Sequence, residues 1–153
     1  MSNTVKAFIL RIAEPEYEEL IYSRCCYYTS LKRRFSKGDL SFFLMKKEVD
    51  SFVGYSKVAS VKELSDIEDP DEKEFCINNG WCRKIEFSEA YRFKTPLPLR
   101  LVFPGLHKLG RALHGLELNL IEVKRIFDLE DIVLKYPEIL RRYCRTSRPF
   151  NEL

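Results

Sequence analysis

The lone tryptophan of this 153-residue chain, Trp81, follows Asn78-Asn79-Gly80 and precedes Arg83-Lys84. A large aromatic face in a loop, with two cations beside it, suits a flat ring that carries a phosphate nearby. Stacking on such a face is worth about 1–3 kcal/mol, and the cations offset the neighbouring charge. A second group repeats the combination: Tyr27 and Tyr28 lie between Arg24 and the run Lys32-Arg33-Arg34. One groove could therefore collect six positive charges, from Arg24, Lys32, Arg33, Arg34, Arg83 and Lys84, whose phosphate contacts would position a strand without reading its sequence. The competing role for Trp81 is an anchor at the end of the core. In an extended segment Tyr27 and Tyr28 point to opposite sides, so only one of them should reach a given pocket, and either is a candidate.

Other chemistries are weaker in this sequence. Asp71, with Glu122 and Lys124 far along the chain, has the residue types of a nuclease in which two carboxylates hold Mg²⁺ and a lysine orients water. Asp71 belongs to an acidic run that reads as a solvated loop, however, and the gap is long. His107 and His114 make neither a metal triad nor a nucleophile pair. Gly105, Gly110 and Gly115 lack the lysine-serine ending of a phosphate loop. Cys25, Cys26, Cys76, Cys82 and Cys144 cannot all pair, and none forms the C-x2-C pairs of a zinc site, so reduced thiols are expected. No cofactor is expected.

These groups need elements to hold them. Val5 to Ile12 predicts a strand, and Glu14-Pro15-Glu16 opens a helix running to about Ser23. Cys25 to Thr29 reads as extended. After the turn Lys37-Gly38-Asp39, the apolar runs 40–45 and 52–61 predict a hairpin turning at 46–50, with Gly54 where the strand bends or another group comes close. Arg83 to Phe93 and Leu97 to Phe103 predict two further strands, and Leu116 to Lys124 alternates as another. Asp128 is expected to cap a last helix from Leu129 to about Tyr143, bent near Pro137. The result is an α+β domain of about six strands and two main helices, in which a glycine-bent hairpin favours a small twisted β-barrel.

Length and charge agree with one domain spanning 1–153 that buries a core unaided. Seven of the 23 acidic residues fall in 63–74, read as an acidic loop, which leaves the remainder distinctly basic although the formal net charge is only +3. Residues 144–153 read as a basic tail, next to Arg141 and Arg142. No apolar stretch is long enough for a membrane span and no signal peptide is visible, so a cytoplasmic location is expected.

The order of elements resembles the PUA-like superfamily of small barrels, above all its EVE and YTH branches. Cys26-Tyr27-Tyr28-Thr29-Ser30 stands where those domains place an aromatic residue after the first helix. Lys37-Gly38-Asp39-Leu40 is similar to the EVE turn before the second strand. Phe52-Val53-Gly54-Tyr55-Ser56-Lys57-Val58 resembles the shared strand with a central glycine, and Asn78-Asn79-Gly80-Trp81 the loop that brings a second aromatic residue of YTH domains to the pocket. The resemblance implies a non-catalytic reader of nucleic acid, RNA or DNA. A flipped or single-stranded base, methylated or unmodified, would sit in an aromatic pocket beside the basic groove. The implied pocket residues are Tyr27, Tyr28 and Trp81, with Tyr55 and Phe43 as further candidates that could equally fill the barrel. Such modules often serve larger assemblies, including RNA-modification and modification-dependent restriction systems. The alternatives are a protein-interaction module and the Mg²⁺-dependent nuclease.

Overall fold

The computed structural model describes residues 5–106 and 110–142. The expectations that fall on His107, Cys144 and the tail 144–153 lie outside these residues. In chain order the elements are β1 (Ala7–Ile12), α1 (Pro15–Arg24), β2 (Cys26–Thr29), β3 (Leu40–Lys46), β4 (Asp50–Glu63), α2 (Pro70–Asn78), β5 (Arg83–Pro98), α3 (Leu99–Val102), β6 (Glu117–Leu118) and α4 (Leu120–Lys135).

The strands form one mixed sheet in the order β2-β5-β4-β3-β1-β6. β1 runs parallel to β3, and the remaining pairs are antiparallel. Alternation along the strands divides the core between two faces. Phe8, Leu10, Ile12, Phe43, Met45, Val53, Ile85 and Phe87 pack inward with Ile21 of α1. Ala7, Ile9, Phe42, Leu44, Phe52 and Phe93 pack outward against Ile126 and Val133 of α4. Register shifts at Phe43/Leu44 and between Phe52 and Gly54 bend the hairpin, as bulges do. Gly54 permits that bend. A Cβ there would lie 2.2 Å from the Tyr22 hydroxyl oxygen and 2.3 Å from the Tyr91 carbonyl oxygen, so no side chain fits.

The sheet curls like a barrel but does not close. Along the seam between β2 and β1, the Tyr27 hydroxyl donates to the Arg11 carbonyl at 2.5 Å, and the Arg11 amide donates to His114 Nδ1 at 3.0 Å. Side chains therefore replace a backbone ladder at this point.

Four expectations change. The second half of the acidic segment is α2, capped by the Asp69 side chain and started by Pro70. Arg83 to Pro98 is one strand of 16 residues, not two, and the chain turns into α3 directly after it. Only Glu117 and Leu118 of the expected 116–124 strand pair with a neighbour. The last helix begins at Leu120 rather than after Asp128. There, Asn119 and Glu122 form a reciprocal capping box that outweighs the alternating pattern.

Candidate nucleic-acid interface

Along the seam lies a half-open cavity of about 80 Å³, lined by Arg11, Ile12, Ala13, Tyr17, Leu20, Ile21, Cys26, Tyr27, Tyr28 and Trp81. β1 ends on one side of it, α1 lies across the back, and β2 forms the other side. The left-handed conformation of Cys25 (φ 52°) ends α1 and turns the chain sharply into β2, so helix and strand face the same space. Tyr27 and Tyr28 both border the cavity, against the expectation from strand alternation. β2 is an edge strand and the cavity lies beyond its unpaired edge, so residues of both its faces reach it.

Trp81 arrives from the other direction. Gly80, at φ +73°, reverses the chain after α2, and the Trp81 amide donates to the Cys76 carbonyl at 2.9 Å. Its indole lies nearly parallel to the Tyr28 ring, at 10° and 5.6 Å between centroids, and edge-on to Tyr17 at 5.2 Å and Phe75 at 5.4 Å. Tyr28 and Trp81 are thus in contact and leave no room for a third ring between them.

Hydrogen bonds fix this wall. The Tyr28 hydroxyl donates to Glu72, which also pairs with Lys84 at 2.6 Å. Burial raises the Tyr28 hydroxyl above its ordinary pKa, and its bond to Glu72 adds to the shift. At Glu72 burial acts upward, but the Lys84 ammonium and the Tyr28 hydroxyl together outweigh it and hold the carboxyl low. Burial likewise raises Cys26 and Tyr27, and it lowers His114, assisted by the charge of Arg11. Cys26, Tyr27 and Tyr28 are thus held in their neutral forms, beside the Glu72–Lys84 ion pair.

The other expected pocket residues sit elsewhere. Phe43 is fully buried in the inward cluster, edge-on to Tyr22 and Phe87. Tyr55 lies on the opposite face of the sheet, 5.0 Å from Phe127 of α4 and 5.2 Å from Tyr91. Neither reaches the cavity.

The six expected phosphate-contacting cations divide into two sets. Arg83 bonds to Glu63 at 3.0 Å and to the carbonyls of Leu31 and Arg33 at 3.3 and 2.6 Å, pinning the 31–33 segment to β5. Arg33 donates to the Gly115 carbonyl and lies over the Phe8 ring, 5.1 Å from its centroid. Lys84 is half-buried against Glu72 and Glu86. Arg24, Lys32 and Arg34 are exposed and have no acidic partner among the described residues. Arg141 is exposed too, in the 3-10 turn that follows α4.

Arg11, Tyr17 and Glu72 escaped the sequence reading. Arg11 carried a signal, a single cation within the apolar strand A-F-I-L-R-I. Tyr17 carried none, since a tyrosine in a first helical turn is ordinary. The nuclease arrangement does not assemble: Asp71 lies in the first turn of α2, while Glu122 spends its carboxylate on capping α4. Among the described residues, no three His, Cys, Asp or Glu side chains gather as metal ligands, and no helix is long and apolar enough to cross a membrane.

No family model and no curated protein matches the chain. Solved structures do. ASCH from Zymomonas mobilis superposes with a TM-score of 0.60 at 9% identity, over 81% of this chain and 95% of that one. The YTH domain of the Zygosaccharomyces rouxii MRB1 protein, in complex with N6-methyladenosine RNA, gives 0.55 at 9% identity over 84% and 88% of the two chains. The Pho92 YTH domain in complex with m6A gives 0.54 at 11% identity, over 84% and 85%. The chain shares the fold of these ASCH and YTH domains. At these identities the likeness concerns the path of the backbone. In this chain that path sets β2 and the 79–82 loop around the cavity.

Proposed function

We propose that the chain is a non-catalytic nucleic-acid-binding module that takes one base, a methylated one included, into the seam cavity. The flanking strand would run past Arg24, Lys32 and Arg34. The observation that carries this reading is the half-open cavity walled by Tyr17, Tyr27, Tyr28 and Trp81, with the exposed Arg24, Lys32 and Arg34 close in sequence to its β2 wall and without an acidic partner among the described residues. An apolar cavity of roughly 150 Å³ holds a benzene ring. A space of about 80 Å³ therefore admits the edge of a heterocycle, and full insertion requires the wall to open. Stacking on the rings offsets the few kcal/mol spent in unstacking a base. The similarity to YTH domains solved with N6-methyladenosine supports a modified base as the ligand. A larger assembly that the module would serve belongs to the same proposal.

Trp81 is the only tryptophan, so its fluorescence reports on the site directly. Titration with single-stranded RNA and DNA oligonucleotides should quench it, with an affinity that falls steeply as salt rises. An unchanged spectrum with every oligonucleotide defeats the reading. A protein-interaction module is the second reading, favoured by Leu120 and Ile121 on α4, which are 77% and 71% exposed.

A further inference from the structure

Four aromatic walls would ordinarily attract a cation, as in the cages that hold methylated ammonium groups. Such cages gain from a carboxylate close by. This cavity has none among its lining residues, and Arg11 is the only charged residue that lines it. Arg11 lies at the end of β1, where its carbonyl accepts from Tyr27 and its amide is bonded to His114. Its guanidinium has no acidic partner among the described residues. Nearby charges do not cancel it. Glu72 stands behind Tyr28 and is matched by Lys84, while Glu14 and Glu16 are exposed at the start of α1 and do not line the space. Arg24, at the end of α1, adds a second positive charge near Cys26. The charge of Arg11 is felt at Tyr27 of the wall, where it opposes the larger upward effect of burial, and at His114 beside β1, where it adds to the lowering by burial.

We infer that Arg11 sets a charge preference in the cavity, which accepts neutral bases and turns away cationic ones. This rests on the base-binding reading above and narrows its ligand. Methylation on an exocyclic amine or on a ring carbon leaves a base neutral. Methylation on the ring nitrogen of adenine N1 or cytosine N3 gives a base that is positively charged at neutral pH. The two kinds of product have the same mass and the same added apolar surface, so stacking and methyl burial barely separate them. A fixed cation in a partly desolvated wall does separate them.

The test is competition between isomers. Matched single-stranded oligonucleotides containing one N6-methyladenine or one 1-methyladenine, and a second pair containing N4-methylcytosine or 3-methylcytosine, are titrated against the protein. The neutral isomer should bind roughly tenfold tighter in each pair. Arg11→Gln should bring each pair to near equality, and Arg11→Lys should restore the difference. Arg11→Met serves as the neutral variant if Arg11→Gln does not fold. Equal binding of the isomers by the unaltered protein overturns the inference and leaves base binding standing. A preference that survives removal of the Arg11 charge also overturns it, because the oligonucleotide's own net charge would then account for the difference. Failure to bind any of the four oligonucleotides removes the base-binding reading itself, and the inference with it.

Discussion

Two aromatic clusters lie on this sheet and serve different ends. On the outer face Phe42, Tyr55, Phe93 and Phe127 pack ring against ring beneath α4, at centroid distances of 5.0 to 6.1 Å. At the seam Tyr17, Tyr28, Phe75 and Trp81 make contacts of the same kind, at 5.2 to 5.7 Å, yet all but Phe75 border a cavity. The difference lies in what stands behind the rings. A 16-residue helix covers the outer cluster, whereas the seam is spanned by side chains. Aromatic density therefore does not distinguish the two regions; the incompletely closed sheet edge does.

The sharpest way to break this comparison is to truncate one ring in each cluster. Phe42→Ala should cost about 3–5 kcal/mol of stability, since Phe42 is fully buried, while oligonucleotide affinity stays unchanged at temperatures where the variant is folded. Chemical denaturation followed by titration of the folded variant checks both halves. Trp81→Ala should do the reverse. Affinity should fall by about 1–3 kcal/mol with little change in unfolding temperature, because a half-exposed stacking face is lost while the two main core clusters stay intact. A collapsed unfolding temperature with normal residual binding would make the two clusters alike.

The cations divide in the same way. Replacing Arg24, Lys32 and Arg34 together with alanine should weaken oligonucleotide binding about tenfold at low salt. It should also flatten the slope of log affinity against log salt by about 2 units for a single strand, without altering stability. Arg83→Ala should instead destabilise, because it frees two backbone carbonyls of the 31–33 segment. Isothermal titration across a salt series, paired with thermal melts, separates the two effects.

A smaller effect tests how the seam is held. The pKa of His114 is lowered in the fold from its ordinary 6.5, chiefly by burial, so the unfolded chain takes up a proton first as pH falls. Stability from this group is then fully present above pH 6.5 and is lost as pH falls through the folded value, where the protonated ring can no longer accept from the Arg11 amide. Melting temperature measured between pH 7.5 and 5 should decline, and His114→Gln should remove most of that decline. The smallest expected effect concerns Ser41 and Ser56, which face each other across β3 and β4 with buried hydroxyls that lack a partner. The double alanine variant should match or slightly exceed the parent in stability, by under about 1 kcal/mol.

What the chain revealed before folding follows a physical division. Local signals were readable: the β3–β4 hairpin with Gly54, the proline-opened α1, and Trp81 in its glycine loop. The start of α4 and the whole of α2 were hidden by signals that compete. In Leu116-Glu-Leu-Asn-Leu-Ile-Glu-Val the alternation of a strand overlaps the Asn119–Glu122 capping box, and one turn of capped helix outweighed four alternating residues. In 69–72 a run of charge resembles a solvated loop, although Asp-Pro-Asp-Glu also places acids and proline where a helix N-terminus favours them. The two strands expected over 83–103 are a single strand, in which Pro96 and Pro98 lie near the C-terminal end, where the missing donors cost little. The cavity itself was not legible. It depends on which edge β2 occupies, and that is decided by partners distant in sequence.

That distance sets the order in which the molecule is built. β2, near the start of the chain, pairs only with β5, so Tyr27 and Tyr28 have no strand to join until residues 83–86 have been made. A chain emerging from the ribosome can form the β1–β3–β4 core early, but it must carry β2 unpaired until β5 arrives. Closing such a long loop is slow. The aromatic wall thus cannot be completed before β5 has been made, and only the two-residue β6, which pairs with β1, joins the sheet from further along the chain.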